Sequence, residues 1–392
     1  MQVGAQQHLN TLRFGVLSAS SACLTPAQRE SLLHSEREQL VADEKLWSYH
    51  PKTASNYQRA HTMFSVFLGQ MFGDIELGWR TCRPDHVCLF LRRHLLPNLA
   101  GRTDGGVAST TLQGWVSALA RCLELRGRGI DWHDESGSGN PARSCLVRGA
   151  LRAYQQRQVS CGHRPRSAVP ITPLTVSQLV SNMSQALVAA VLSKSKPRVD
   201  VLLRDITHIL YMWNSGRRGQ DALYIDWEDL YIQFPDRSVV PVATVWAGEV
   251  PQDSPVGGAL LMVPSRSKTE HTRRPQTQKI DPNGNAAICA IRYLRTYYQW
   301  QRSRYHGIPS GPVFLTQRDP PARMTAQAAG NRVRVNMRQY GEDHGETMHS
   351  FRRGHVQAAQ AADESTAAIM QRTGMLSMTT FRKYSDPGRH LR

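Results

Sequence analysis

Apolar residues in the first half of this chain are spaced as in amphipathic helices. Between positions 57 and 71 they recur every three or four residues, at Tyr57, Ala60, Phe64, Phe67, Leu68 and Met71. This spacing places them on one face of a helix. Three further runs of the same kind follow, at 87–95, 109–123 and 145–154. We therefore predict a domain of four packed helices over residues 46–160.

Local signals indicate the ends of these helices and the connection to the next domain. The run Ser109–Thr111 precedes the third helix and predicts an N-cap there. Residues 127–141 have the composition of a loop. The segment 161–173 is short, basic and rich in proline, as expected of an interdomain linker. Residues 1–45 have the pattern of an N-terminal arm, with one short helix at 29–45.

The remaining residues, 174–392, have the pattern of a mixed α+β domain. Helices are predicted from their periodicity at 174–192, 201–214 and 286–301, with several more toward the C-terminus. Strands are predicted between them, at 239–246, 259–263 and 312–316. The expected fold class is thus a two-domain protein: an all-α four-helix domain, then a mainly helical α+β domain with a small antiparallel sheet.

The charge balance indicates a polyanionic partner. The 392 residues include 48 Lys and Arg against 31 Asp and Glu, a net charge of +17 at pH 7. Nucleic acid is the first candidate for such a chain. Of the basic residues 41 are Arg, whose guanidinium suits bidentate phosphate binding, although a biased genomic base composition would enrich Arg as well.

Several other classes of protein are disfavoured. The seven cysteines form no C-x-x-C pair, so neither a zinc site nor a disulfide framework is expected, and a reducing compartment fits. There is no run of 18 apolar residues and no apparent secretory signal, so we expect no membrane span. No cluster of acidic residues suits a two-metal nuclease.

Four clusters of chemically useful side chains follow one another in the second domain. They are Arg217 and Arg218 after an apolar run, Lys268 in a polar turn, His349 and Arg352 three residues apart, and Tyr384 beside Arg382 and Lys383. Arginines can bind the oxygens of a phosphate, and residues three apart on a helix share a face. Taken singly, each cluster also fits a surface turn or a packed terminal helix.

The order Arg, Lys, His-x-x-Arg, Tyr resembles that of the tyrosine recombinases, the integrase-type site-specific DNA recombinases. The resemblance covers residues 46–392. In that family an acid stands three residues after the first catalytic Arg, and Asp221 fills this position for Arg218 but not for Arg217. The form HSFRRG at 349–354 looks most like eukaryotic mobile-element relatives such as cryptons and DIRS-type elements.

The resemblance implies a role for each of these residues. Tyr384, at a family spacing of 32 residues after Arg352, would attack phosphorus and form a 3′-phosphotyrosine. Arg218 and Arg352 would stabilise the charge on the phosphate oxygens. His349 would assist proton transfer, and Lys268 would protonate the leaving 5′-oxygen. Four further residues are expected to contact DNA, namely Arg217, Arg353, Arg382 and Lys383.

Position 375 departs from the pattern of the family. The residue after Gly374 is usually His or Trp in the family, and here it is Met375. Methionine has no N–H donor, so a hydrogen bond to the transition state is expected to be missing, and loss of one such donor can cost about 10²–10³ in rate. Packing against Tyr384 is a role that methionine can keep.

The resemblance also implies partners and leaves alternatives open. A SAM-like core-binding domain at 46–160 and a catalytic domain at 174–392 would both grip double-stranded DNA, four protomers would assemble on it, and no metal, ATP or other cofactor would be needed. We expect a nuclear protein if the source is eukaryotic, which the HSFRRG form favours, and a cytoplasmic one otherwise. A type IB topoisomerase or telomere resolvase, and a domesticated DNA-binding protein of weak catalysis, remain alternative hypotheses.

Overall fold

The computed structural model describes residues 51–99, 107–162, 168–247, 258–263, 277–386 and 388. The chain divides into two compact units, Met1–His163 and Arg164–Arg392. Both are mostly helical, and their strands form small antiparallel sheets. The predicted arm at 1–45, with its helix at 29–45, lies outside the described residues.

The described residues of the first unit, 51–99 and 107–162, contain five main helices and one short hairpin. The helices are α1 (Pro51–Phe72), α2 (Ile75–Thr81), α3 (Pro84–Leu89), α4 (Ser109–Leu125) and α5 (Cys145–Ser160). A two-stranded hairpin, β1 (Trp132–His133) with β2 (Ser138–Gly139), and a 3-10 turn at Pro141–Arg143 occupy the predicted loop. The periodic apolar residues form the core, in which Phe64, Leu68, Phe90, Leu119 and Leu123 are fully enclosed.

The helical run predicted at 87–95 is present, because α3 continues beyond Leu89 through a π-helical segment, Phe90–Leu95, and a last turn, Leu96–Asn98. One detail of this unit differs from expectation. The N-cap of α4 is Ala108, not Ser109–Thr111, and its side chain makes no capping bond. The Ser109 N–H instead donates to Oε1 of Gln158 on α5, at 2.8 Å. The orphan donor of the helix start is therefore satisfied from another helix.

The second unit begins with two long helices, α6 (Pro173–Leu192) and α7 (Lys196–Ser215). Its later elements are α8 (Val242–Trp246), α9 (Ala290–Tyr305), α10 (Ala326–Tyr340), α11 (Met348–Ala361), α12 (Thr366–Thr373) and α13 (Met378–Ser385). The helix α7 is the centre of this unit, because it packs against α6, α9 and α11 and is buried on all sides from Leu202 to Trp213. Its buried stretch also carries charged side chains, and two of them, Arg204 and Asp205, form an ion pair at 2.7 Å.

One antiparallel sheet of four strands accompanies these helices. The strands are β3 (Leu230–Gln233), β4 (Val239–Pro241), β5 (Ala259–Met262) and β6 (Gln278–Ile280), in the spatial order β4-β3-β5-β6. The predicted strand at 259–263 is thus present.

The predicted strand at 239–246 is wrong beyond Pro241. The remaining residues form α8, whose Val242 and Trp246 are both buried. A helix places residues four apart on one face, which lets both side chains reach the core.

The predicted strand at 312–316 is also wrong. The structure has only isolated β-bridges there, Asp226 with Pro312 and Leu315 with Arg323. Pro312 has no N–H with which to extend a ladder.

The helix α6 is long and apolar enough, by length and composition, to cross a membrane. In this structure one of its faces lies in the core of the second unit, through Val176, Leu179, Val180 and Met183. A core helix of this kind passes the same length and composition test.

Candidate active site

A left-handed glycine ends α7 and begins the loop that carries the two predicted arginines. Gly216 has φ +59°, and its N–H donates to the Met212 carbonyl at 3.0 Å. A Cβ at this position would overlap the His355 ring and lie 2.8 Å from Cγ2 of Thr373. Glycine is therefore required both by the backbone conformation and by the close approach of α11 and the end of α12.

Arg352, on α11, is held by this turn. Its side chain is 1% exposed, and Nη1 donates to the carbonyls of Gly216 at 3.0 Å and Thr373 at 2.7 Å. Its Nε and Nη2 make no hydrogen bond to the described residues. One nitrogen thus fixes the guanidinium to the backbone, and the other two are buried and lack the acceptor that an anionic oxygen supplies to an Arg fork.

Arg218 and Asp221 lie in the loop that follows Gly216. Nη1 of Arg218 is 3.6 Å from Oδ2 of Asp221, and the Arg218 side chain is partly exposed while Asp221 is buried. The loop packs on the first turn of α11, since a Cβ at Gly219 would lie 2.7 Å from Sδ of Met348. The predicted Arg218 box and the His-x-x-Arg helix are therefore neighbours.

The charges of the arginines act on one another. Burial first, and then the positive charge of Arg218, lower the pKa of Arg352 to about 10, while Tyr384 and Asp221 oppose the shift. Arg217 also contributes to this field and is itself buried, with Nη1 making no hydrogen bond to the described residues. Cations concentrated in this way attract an anion such as a phosphate.

Tyr384 lies beside Arg352. The guanidinium carbon of Arg352 is 5.0 Å from the centre of the Tyr384 ring, within the range of a cation–π contact. Tyr384 lies on α13, a helix capped by the Ser377 hydroxyl, which accepts from the Thr380 N–H at 3.2 Å. The structure thus brings together the predicted nucleophile and the second predicted arginine.

Met375 contributes packing to the surroundings of Tyr384. Gly374, with φ +64°, ends α12, and the Met375 N–H donates to the Met370 carbonyl at 2.8 Å. This turn buries Met375 in an apolar cluster against which Tyr384 packs; its other members are Val356, Ala359, Ile369 and Phe381. The effect of Met375 on the rate of a reaction stays a prediction.

His349 and Lys268 are the other two predicted catalytic residues. His349 is exposed in the first turn of α11, three residues before Arg352; its role in proton transfer stays a prediction.

Lys268 lies outside the described residues, between β5 and β6. The residue pair of β5 and β6 nearest to this connection is Met262 with Gln278. Nε2 of Gln278 donates to the Arg372 carbonyl at 2.6 Å. The base of this hairpin therefore lies against the end of α12.

The predicted DNA contacts differ in exposure. Arg382 and Lys383 are exposed on α13. Arg353 is instead buried, and its Nη2 donates to the Lys383 carbonyl at 2.8 Å. In this structure the Arg353 guanidinium therefore binds the protein backbone, and DNA contact by all these residues stays a prediction.

Sequence reasoning assigned no role to Gly216, Thr373 or His355, which meet where the ends of α7 and α12 approach α11. Gly216 carried a signal, because a glycine after a long apolar run is the usual helix end. Thr373 and His355 carried none, since neither a backbone carbonyl acceptor nor a ring packed against a glycine leaves a trace in the residue type. Within the described parts of the chain, no group of three or more His, Cys, Asp or Glu residues is placed to hold a metal ion.

No protein-family model matches the chain, and no curated protein matches it. Among solved structures, it is similar to the XerH site-specific recombinase bound to palindromic difH substrate in a post-cleavage complex, with 10% identity over 90% of this chain and 80% of that one and a TM-score of 0.48. A lambda integrase dimer bound to a COC′ core site is 12% identical over 98% and 86% of the two chains, with a TM-score of 0.43. XerA recombinase is 11% identical over 90% and 93%, with a TM-score of 0.36. At these identities and TM-scores the likeness carries no argument about function, which depends on this chain's own residues.

Proposed function

We propose that this chain is a site-specific DNA recombinase of the tyrosine type. The single observation that carries the proposal is the contact between Arg352 and Tyr384, 5.0 Å from guanidinium carbon to ring centre, beside Arg218. Transesterification of a phosphodiester needs a nucleophile, which the phenol provides, and positive charge on the phosphate oxygens, which the guanidinium groups provide. The net charge of +17 supports a nucleic-acid substrate.

The reaction begins with attack on the phosphodiester. The Tyr384 oxygen forms a bond to phosphorus as the bond from phosphorus to the 5′-oxygen breaks, which leaves a 3′-phosphotyrosine and a 5′-hydroxyl. A free phenol has a pKa of about 10, so the attacking oxygen must lose its proton during the step. His349 is the proposed acceptor of that proton, and Lys268 is the proposed donor to the 5′-oxygen.

The arginines stabilise the charge of the transition state. Arg352 offers Nε and Nη2 to a non-bridging oxygen while Nη1 stays on the backbone carbonyls. Arg218, balanced by Asp221, faces the same region. Attack of a 5′-hydroxyl of a second duplex on the phosphotyrosine then restores the backbone. The bond energy stays in the phosphotyrosine, so the reaction needs no ATP, and four protomers exchange two pairs of strands.

The helical first unit supplies a second DNA contact in this proposal. A shallow groove between α4 and α5 is lined by Ser109, Gln113, Arg148, Leu151, Arg152 and Gln155. We call these six residues the α4–α5 groove. Arginine and glutamine side chains bind phosphates and base edges, so this groove has the chemistry of a DNA-binding surface.

Covalent adducts provide the decisive test. The wild type and Tyr384→Phe are expressed in cells, and the cells are lysed in denaturing detergent. The DNA that remains covalently bound to the protein is then sequenced. Adducts at 3′ ends, clustered at a few sites and absent in Tyr384→Phe, are expected. Absence of adducts in both proteins, with DNA binding retained, would favour the domesticated binder.

A second measurement separates recombination from strand passage. The sites recovered as adducts are placed in pairs on one plasmid, and the products are analysed after incubation with the protein. Joining of the two sites is expected of a recombinase. Relaxation of supercoils without joining would instead indicate topoisomerase activity.

A further inference from the structure

The end of the nucleophile helix α13 is held by side chains of α11. Nη2 of Arg353 donates to the Lys383 carbonyl at 2.8 Å. Nε2 of Gln357 lies 3.3 Å from the Tyr384 carbonyl and 3.4 Å from the Asp386 carbonyl. Three carbonyl groups at or just beyond the last turn of α13 thus accept hydrogen bonds from two side chains of one neighbouring helix.

Helix ends need such partners. The last carbonyls of a helix have no intrahelical donor, and a positive charge is favourable there because of the helix dipole. Arg353 supplies both a donor and a charge. The helix α13 has only eight residues, and isolated helices of this length are unstable in water. Its position therefore depends on contacts with the rest of the protein.

The apolar contacts of α13 lie on its inner face. Phe381 is buried in the small cluster with Met375, and Tyr384 packs against the same cluster. Apolar packing is non-directional and leaves a short helix free to slide or rotate by small amounts. The hydrogen bonds of Arg353 and Gln357 act at the opposite end from the Ser377 cap and so define both the rotation and the axial position of α13.

The helix α11 also carries Arg352, which is bonded to Gly216 and Thr373. The helix α11 therefore carries the guanidinium proposed to bind phosphate. Through Arg353 and Gln357 it also holds the backbone around Tyr384. We infer that Arg353 and Gln357 are positioning residues that set the place of Tyr384 relative to Arg352. This inference rests on the proposed function, because the positioned phenol matters only if it attacks a phosphate.

The main test uses Gln357→Ala, with Gln360→Ala as the matched control. Gln360 is an exposed residue of the same type on the same helix. The single-turnover rate of adduct formation is measured on a duplex that carries a recovered cleavage site, together with the Kd for that duplex. Displacement of a reacting group by about 1 Å can cost about 100-fold in rate, so we expect Gln357→Ala to slow adduct formation by roughly 10- to 100-fold, with Kd changed less than about twofold.

Two more variants separate positioning from a general loss of structure. Gln357→Lys keeps a donor that reaches the same carbonyls and is expected to restore most of the rate. Gln357→Glu removes the donor and places a negative charge at a helix C-terminus, which is unfavourable, and is expected to be the slowest. Arg353→Lys keeps the charge but loses the fork, and an intermediate rate is expected.

Amide hydrogen exchange gives a measurement that needs no catalysis. In Gln357→Ala we expect faster exchange confined to α13, with α7 unchanged, because only the end of α13 loses its partners. Unchanged exchange in α13 would overturn the inference whether or not the wild type forms adducts, and so would an unchanged adduct rate in Gln357→Ala and Gln357→Glu. A wild type without adducts would overturn the proposed function, and hydrogen exchange alone would then decide whether Gln357 holds α13.

Discussion

The guanidinium carbon of Arg352 lies 5.0 Å from the centre of the Tyr384 ring. A cation at this distance from an aromatic face is attracted to it by about 0.5–2 kcal/mol, depending on how far the pair is desolvated. The two side chains come from different helices, α11 and α13. Arg352 is fixed by two backbone carbonyls, and α13 is held against α11 by the side chains of Arg353 and Gln357, so contacts within the protein define the pair.

The variant Arg352→Lys tests whether adduct formation needs the guanidinium of Arg352 or only its positive charge. A lysine ammonium carries its three donors on one atom and lacks the planar fork, so it cannot bond to Gly216 and Thr373 through one nitrogen and present other nitrogens to a phosphate oxygen. We expect adduct formation to fall on the order of 10²–10³-fold, with DNA affinity little changed. A rate near that of the wild type would show that the positive charge alone is enough.

Mixing experiments extend this test. Because Tyr384 lies beside Arg352 of its own chain, each active site is expected to be complete within one protomer. A mixture of Arg352→Lys and Tyr384→Phe proteins on the same DNA should therefore form no more adduct than Arg352→Lys alone. Recovery of adducts in the mixture would mean that the tyrosine acts on a site of another protomer.

Gly216→Ala is predicted to disable the site through the backbone. The left-handed conformation disfavours any Cβ, and the new methyl group would overlap the His355 ring. Residues other than glycine in strained backbone cost about 1–3 kcal/mol, so we expect a lower melting temperature and loss of adduct formation. Gly284→Ala is the control, because a Cβ there meets nothing within 4 Å. A Gly216→Ala protein that keeps its activity would contradict the described turn.

Met375 is predicted to act through packing and not through its sulfur. Met375→Leu conserves volume and is expected to cost under about 1.5 kcal/mol in stability, with adduct formation changed only a few-fold. Met375→Ala leaves a cavity beside Tyr384 and is expected to cost about 2–5 kcal/mol and to slow adduct formation further. Met378→Ala, at a position 48% exposed, serves as control. Equal damage from Met375→Leu and Met375→Ala would point to a role for the thioether itself.

The helical periodicity predicted most of the fold, because burial on one face repeats every three or four residues in the sequence. The runs that became α1, α4 and α5 are examples. The start of α4 at Ser109 was predicted, but its capping was not, since the N-cap is Ala108 and the Ser109 N–H donates to Gln158, 49 residues away. The segment 239–246 was mistaken for one strand because its β-branched residues suit both a strand and the short helix that buries Val242 and Trp246.

The site could be predicted in part for a similar reason. The residue types that phosphate chemistry needs stand in the sequence at Arg218, Arg352 and Tyr384, and the structure brings these three together. What holds them could not be predicted, because the carbonyls of Gly216 and Thr373 belong to the backbone of every residue. The burial of Arg353 was missed as well, since its partner, the Lys383 carbonyl, is found only once α13 is docked on α11.

Two buried histidines predict that stability falls in mild acid. Burial lowers the pKa of His208 to about 4 and that of His355 to about 3. Both are neutral in the folded protein, whereas in the unfolded chain they take up protons below about pH 6.5. Their favourable contribution is therefore complete above pH 6.5 and is lost as the pH falls from 6.5 toward 4.

The size of this effect follows from proton linkage. Between pH 7.5 and 5.0 we expect the free energy of unfolding of the second unit to fall by about 2 kcal/mol for each histidine. Urea unfolding, monitored by hydrogen exchange in α7, measures this change in the free energy of unfolding. His208→Leu is expected to remove about half of the pH dependence, whatever it does to the stability at pH 7.5. The same pH dependence in the variant and the wild type would exclude His208 as its source.

The α4–α5 groove predicts how the first unit contributes to DNA binding. Arg148 and Arg152 are exposed, one turn apart on α5, and a helix places such residues on one face. Each phosphate contact that is lost lowers the slope of log K against log salt concentration by about one. We therefore expect the double variant Arg148→Ala/Arg152→Ala to lower this slope by about two on any duplex.

A matched control lies on the same helix. Arg157 is also exposed on α5 but is nine residues from Arg148, and at 100° per residue nine residues reach the opposite face. We expect Arg157→Ala to leave the salt dependence of binding unchanged. If binding to the recovered site weakens in the double variant without a change in slope, the groove reads base edges, because base contacts release few counterions whereas phosphate contacts release many. Equal effects of the double variant and Arg157→Ala would mean that α5 contributes only its overall charge.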